Sequence, residues 1–203
     1  MTKPLTIYGD QRSGNCMKVY WTASLLGVAF EWIDVDVLSG ETRERDFLSI
    51  NPAGQLPAVV FADGSTLAQS NAIILHLARE HKQLLPKDSY LRAKVDEWLF
   101  WEQYSHEPVI AVRRFQKLFL GKDDADIDPG LLDRGNAALA LMDAHLATRD
   151  YFVGGALSVA DIALFAYTHI APEGGFELQP YPHIQRWIQR LENDLAITKK
   201  DAA

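Results

Sequence analysis

Leu5-Thr6-Ile7-Tyr8, a four-residue gap after it, and then Ser13-Gly14-Asn15-Cys16 form the run that decides how the first half of the chain is read. The apolar stretch reads as a strand. Residues 15–26, with Val19, Ala23 and Leu26 at helical spacing, read as a helix stopped near Gly27. A strand, a short loop and a helix aim backbone N–H groups and a partial positive charge at whatever lies before the helix. Ser13 and Asn15 place small polar groups where an anion would sit. Cys16 is the single cysteine of the chain and stands three positions after Ser13. Ser-x-x-Cys has the spacing of a redox Cys-x-x-Cys with the leading sulfur replaced by a hydroxyl. That replacement forbids an internal disulfide and points to a site that handles another molecule's thiolate.

Outward from this run, residues 30–37 alternate apolar and polar with period two and read as a second strand. A short helix is expected over 42–49 and an apolar strand over 56–61. Asp63-Gly64 is a hairpin turn joining that strand to one over 66–68. Residues 70–81 return to helical spacing through Ile73, Ile74, Leu77 and Ala78. The expected order is βαβαββα, with the first two strands parallel and the last two antiparallel. Composition changes near residue 82. Residues 82–89, with Pro86, Lys87 and Asp88, read as a linker, and from Tyr90 onward helical spacing dominates. Leu91, Val95, Trp98 and Leu99 form one stripe, and Pro108 is expected to kink or divide that helix. Residues 118–129 read as an exposed acidic loop, and further helices are expected over 131–146, 158–169 and 182–191. The fold class is therefore α/β plus all-α: an α/β domain over 1–81, a linker over 82–89 and an all-helical domain over 90–203.

The 203 residues, 48% hydrophobic with five Trp, nine Phe and seven Tyr, suffice for two cores. The net charge of −7 argues against a nucleic-acid partner, where a basic stripe is expected. No 18-residue apolar run occurs, so no membrane span is expected, and Met1-Thr2-Lys3-Pro4 lacks the apolar region of a leader. One cysteine fits a reducing cytoplasm. The six histidines show no metal-ligand spacing, and no metal is expected.

Four pieces of the chain carry a resemblance. They are Ser13-Gly14-Asn15-Cys16-x-Lys18-Val19, Asn51-Pro52-x-Gly54-Gln55-Leu56-Pro57, Gln69-Ser70-Asn71-Ala72-Ile73 and Gly155-x-x-Ser158-Val159-Ala160-Asp161-Ile162. Their order and spacing resemble the cytosolic glutathione transferases over nearly the whole length, most of all bacterial members related to the theta, delta and nu classes. The resemblance implies a thioredoxin-like N-terminal domain, a helical C-terminal domain, glutathione as co-substrate and a homodimer.

A free thiol with a pKa of about 8.5 is only a few per cent ionised at neutral pH. Lowering that pKa by about two units takes about 2.7 kcal/mol of preference for the thiolate. A hydroxyl hydrogen bond plus a helix N-terminus is of that order. The resemblance matches Ser13 to the catalytic serine of theta and delta relatives and Asn15 to a thiolate-contacting asparagine of nu-like ones. Each is also a good helix cap. Cys16 matches the second, buried position of the redox motif and is read as structural. By resemblance Pro57 is cis and turns Leu56 outward, so that its backbone pairs with the cysteinyl unit of glutathione as an added strand would. Gln55 reaches a neighbouring polar group. Gln69 and Ser70, at a helix start, suit the γ-glutamyl carboxylate. Gln69 carries no charge for the ammonium, which is then met from elsewhere, for instance the second subunit. Thr42 and Arg43 lie where relatives meet the glycine end. Ser158-x-x-Asp161 reads as a capping box, stapled by Leu157 and Ile162. The electrophile pocket is assigned to Trp101, Tyr104, His106 and Arg113.

The first expectation is thus a transferase that directs the glutathione thiolate at a small, mostly apolar electrophile. Two alternatives remain at this point. One is a glutathione-dependent disulfide or peroxide reductase. The other is a non-enzymatic binding module on the same fold.

Overall fold

The computed structural model describes residues 4–196. The reading of the first residues as carrying no leader, and the end of the helical half, lie partly outside them. The chain divides into two compact units, Met1–Gln83 and Leu84–Ala203.

The first unit follows the expected βαβαββα order. Its elements are β1 (Leu5–Gly9), α1 (Gly14–Leu25), β2 (Phe30–Asp34), α2 (Arg45–Ile50), β3 (Ala58–Val60), β4 (Thr66–Ala68) and α3 (Ser70–His81). The sheet order is β2-β1-β3-β4. β1 and β2 run parallel with Ile7 opposite Trp32, whereas β3 is antiparallel to both β1 and β4. Ile7, Val19, Val59, Ile73 and Ile74 are fully buried and form the centre of this core. Gly9 meets the Trp32 ring so closely that a Cβ there would lie 2.5 Å from it. Such close approach is what glycine permits.

Two boundaries differ from expectation. β2 ends at Asp34 rather than at residue 37, because the Asp36 carboxylate accepts from Leu38 N–H at 2.8 Å. An aspartate bonding its own chain two residues on makes a turn that competes with the ladder. β3 starts at Ala58 rather than residue 56, after a cis Leu56–Pro57 bond and a proline with no N–H to donate. The short helix expected over 42–49 is split into a 3-10 turn, Glu41–Arg43, and α2.

The second unit is helical: α4 (Ser89–Trp101), α5 (Glu107–Leu118), α6 (Pro129–Leu146), α7 (Val159–Thr168) and α8 (Pro182–Asp194). Between α4 and α5 the backbone widens into one π turn, Glu102–His106, and Pro108 sits in the first turn of α5. There the missing N–H costs nothing. Every residue of α7 is buried. A helix apolar on all sides belongs at the centre of its unit, and Phe165, Trp187 and Phe152 pack edge to face around it. The acidic loop before α6 is exposed as expected, apart from one buried residue. Ile127 is 1% exposed, and Asp124 accepts from Arg113 and Lys117.

The expected capping box is present. Asp161 accepts from Ser158 N–H at 3.0 Å and the Ser158 hydroxyl at 2.8 Å, and also from Phe152 N–H and Trp187 Nε1. Burial pushes its carboxyl up to about 6 against the pull of these donors.

Candidate active site

Strand register gathers the candidate residues at one end of the first unit's sheet. Tyr8 lies opposite Ala58, and Ala58 opposite Ala68. The loop leaving β1, the segment entering β3 and the turn leaving β4 therefore meet. The first carries Ser13, the second Gln55, Leu56 and Pro57, the third Gln69 and Ser70. Leu56 stands just outside the ladder, so its backbone lies where a further strand would pair. Arg43 joins the group from the 3-10 turn, its Nη1 donating to Ala53 O at 3.4 Å. Gly54 lets this happen: its φ is +62°, and a Cβ would come within 2.7 Å of Arg43 Nη1. Thr42 is buried beneath, whereas Gln55 is exposed.

Ser13 caps α1, its oxygen accepting from Cys16 N–H at a long 3.4 Å. A hydroxyl has two lone pairs and one proton, and capping uses only a lone pair. Capping and donation to an incoming sulfur are therefore compatible. Among the described residues no oxygen accepts the Ser13 proton; the group it meets is the Cys16 sulfur. That thiol is fully buried, and burial pushes it up to about 11, opposed by the Ser13 hydroxyl. At neutral pH it is an S–H in the core, which agrees with its reading as structural.

The loop that presents Ser13 is braced. Arg12 pairs with Asp10 at 2.6 Å and Asp36 at 2.8 Å, tying the loop to the turn after β2. The Arg12 guanidinium in turn holds the Asp36 carboxyl below its ordinary range.

Asn15 lies on the first turn of α1 and faces α3. Its Oδ1 accepts from the Lys18 ammonium at 2.9 Å and from the Ser70 hydroxyl at 3.1 Å, and Lys18 also donates to Asn71 Oδ1 at 3.4 Å. Lys18 is fully buried. In this arrangement the Ser70 proton is committed to Asn15. What α3 presents to an anion is then its first-turn backbone N–H groups and its positive end, rather than the hydroxyl proton. Gln69, before that turn, holds φ 70° and ψ 111°. For a residue with a side chain such a backbone costs about 1–3 kcal/mol and is typical of ligand-clamping positions.

The four residues assigned to an electrophile pocket are in different settings. Trp101 packs edge to face on Trp98. Tyr104 is 87% exposed. His106 is fully buried with its Nε2 2.9 Å from the Thr168 hydroxyl, and Arg113 is buried with Nη2 on Asp124. His106 and Arg113 thus brace α5 within the second unit, and the four do not gather as one lining there.

Three residues of the first unit escaped the sequence reading as contributors. Arg12 gave no signal beyond an ordinary charged loop. Asn51 is buried, its amide donating to Gln55 O at 2.7 Å and its oxygen accepting from Ala53 N–H, which shapes the turn before Leu56. Lys18 had a signal that went unused: a lysine one turn into a helix, on the face that carries Val19 and Thr22 into the core.

The chain matches two family models, "Glutathione S-transferase, N-terminal domain" over residues 12–80 and "Glutathione S-transferase, C-terminal domain" over residues 113–194. Glutathione S-transferase theta-3 of Mus musculus is 30% identical, over 94% of this chain and 83% of its own. GstB of Escherichia coli K12 is 29% identical, over 96% of each. A solved glutathione S-transferase from Pseudomonas fluorescens Pf-5 is 46% identical, superposes with a TM-score of 0.89, and covers 94% of this chain and 95% of its own.

Proposed function

From membership of the glutathione S-transferase family, to which this chain belongs, we propose that its first unit binds glutathione as the thiolate beside Ser13 and directs it at a small apolar electrophile. The chain is a glutathione transferase by family; the residue roles and the electrophile class are the reading offered here. One observation carries it. The Ser13 hydroxyl stands at the positive end of α1, beside the Cys16 sulfur, with no oxygen among the described residues accepting its proton. It does so where the Leu56 backbone and the start of α3 converge.

In this reading the cysteinyl backbone of glutathione pairs with Leu56 as an extra strand. The γ-glutamyl carboxylate meets the start of α3, and the glycine end lies toward Thr42 and Arg43. Gln55 contacts the peptide between them. The thiol loses its proton to water. Ser13 donates to the resulting thiolate, with the Asn15 amide beside it. The sulfur then forms a bond to an electrophilic carbon as the leaving group departs with its electron pair. The protein contributes orientation, charge stabilisation and exclusion of water. Homodimerisation and a cytoplasmic location belong to the same reading and rest on the resemblance. The single buried thiol is compatible with a reducing compartment.

Retention on immobilised glutathione, with turnover of a chloronitroaromatic by the eluted protein, is the expected result. Reduction of a small disulfide by glutathione without conjugation would move the assignment to the reductase. Flow-through with no calorimetric binding of glutathione would remove the site reading altogether.

A further inference from the structure

Arg113 is held inside the second unit with its side chain only 4% exposed, and its guanidinium is half used. Nη2 donates to Asp124 Oδ1, whereas the buried Nε has no acceptor among the described residues. Nε and Nη2 present parallel N–H groups from one edge of the guanidinium plane, which suits two oxygens of one oxyanion. Arg12 shows that edge filled in the same chain: its Nε lies 2.9 Å from Asp10 Oδ1 and its Nη2 2.6 Å from Asp10 Oδ2. A buried donor without an acceptor is costly and calls for an explanation.

Lys117 stands four residues after Arg113, on the same face of α5. Its ammonium donates to the same Asp124 oxygen at 2.8 Å. One carboxylate oxygen thus serves two cations, and the trio keeps an excess of positive charge. The carboxylate itself is on the outside. Asp124 lies in the 3-10 turn Asp124–Asp126 with its side chain 63% exposed. An ion pair so open to solvent contributes little. Beside the two cations is Gly175, at φ +85°, where a Cβ would stand 3.3 Å from Lys117 Nζ and 3.7 Å from Arg113 Nη2. Glycine there adds no side chain against the two charges. The adjacent Arg114 is engaged separately, by Glu173. We propose that Arg113 and Lys117 form a site for a phosphate-type oxyanion, with Asp124 as a built-in competitor. The incoming group displaces the Asp124 carboxylate. One of its oxygens takes Nη2, a second takes the Nε that Asp124 leaves unserved, and a third takes the Lys117 ammonium. A carboxylate has two oxygens for these three donors, so a tetrahedral oxyanion is preferred to it. Free phosphate and a phosphate monoester share this chemistry. The site lies within the second unit and makes no use of the Ser13 loop.

The test is calorimetric titration of the full chain with inorganic phosphate, at an ionic strength fixed with chloride. Phosphate should bind the unsubstituted protein weakly. Asp124→Asn should tighten it at least about fivefold, the upper end of what an exposed ion pair contributes. Arg113→Lys keeps the charge but loses the parallel edge, and placed beside Asp124→Asn it should abolish the gain. Should that double variant not fold, Lys117→Gln beside Asp124→Asn replaces the more exposed cation and should weaken binding in the same direction. Phenyl phosphate that binds as tightly as phosphate marks the ligand as a monoester, and its exclusion marks free phosphate; both support the proposal. Asp124→Asn without tighter binding, phosphate binding insensitive to the Arg113 and Lys117 substitutions, or acetate bound as tightly as phosphate overturns it. Glutathione takes no part in the measurement, so the reading of the Ser13 site stands or falls separately.

Discussion

Helices α1 and α7 each start from a serine cap, Ser13 and Ser158, with a buried side chain three residues on, Cys16 and Asp161. At α7 the pair closes on itself. Ser158 gives its proton to Asp161, the carboxylate takes the cap's N–H in return, and Phe152 and Trp187 supply two further donors. At α1 the third residue is a thiol that burial keeps protonated, a poor acceptor, and the cap bond is long at 3.4 Å. The difference of one side chain separates a saturated hydrogen-bond network from a hydroxyl that can still donate. Stability is concentrated at the start of α7 and chemistry at the start of α1.

Substitutions at the two starts should therefore have crossed effects. Asp161→Ala is expected to have the largest effect on stability. It leaves buried N–H donors of Phe152, Ser158 and Trp187 without their acceptor, each worth about 1–3 kcal/mol, so a loss on the order of 4 kcal/mol is expected in urea unfolding. A loss under about 1 kcal/mol would mean that the closed network holds little of the second unit. Ser13→Ala should do the reverse, lowering kcat/KM by about 10–100-fold, roughly 1.4–2.7 kcal/mol in the barrier. Its weak cap should cost no more than about 0.5 kcal/mol of stability. Equal stability losses for Ser13→Ala and Ser158→Ala would erase the contrast. Ser158→Ala should cost about 1–2 kcal/mol in unfolding and leave the pH–rate profile of conjugation in place.

Cys16 sharpens the comparison through pH. Its folded value of about 11 lies above the ordinary thiol value of 9.0. A raised acid keeps its proton in the fold after the unfolded chain has lost its own. The associated stability is thus complete below about pH 9 and lost as pH rises through about 11. Cys16→Ala should flatten that part of the stability curve. In the folded protein Cys16 should also resist alkylation at pH 8 and react once urea exposes it.

Much of this was legible in the sequence, for identifiable reasons. Period-two and helical spacing located the strands and helices, and Asp63-Gly64 fixed the hairpin, because these signals are local. The Ser158–Asp161 box was readable because both of its bonds lie within four residues. Where expectation and structure part, the cause is non-local or a matter of backbone. The positive φ of Gln69 has no signature in a glutamine. The commitment of the Ser70 proton to Asn15 depends on α1 meeting α3, 55 positions away in sequence. Trp101, Tyr104, His106 and Arg113 were grouped by the resemblance, as residues of the first long helices, and the π turn Glu102–His106 rotates that stretch within its length. Lys18 lay on a core-facing side of α1, but its bond to Asn71 depends on α3, 53 positions away in sequence.

The most direct test of the central claim is a crystal structure of the protein soaked with glutathione. The account predicts the sulfur within about 3.0–3.5 Å of Ser13 Oγ, at hydrogen-bonding distance, with the cysteinyl backbone paired to Leu56 and the γ-glutamyl carboxylate at the start of α3. Glutathione lodged away from the Ser13 loop, or bound there with its sulfur turned from the hydroxyl, would contradict it.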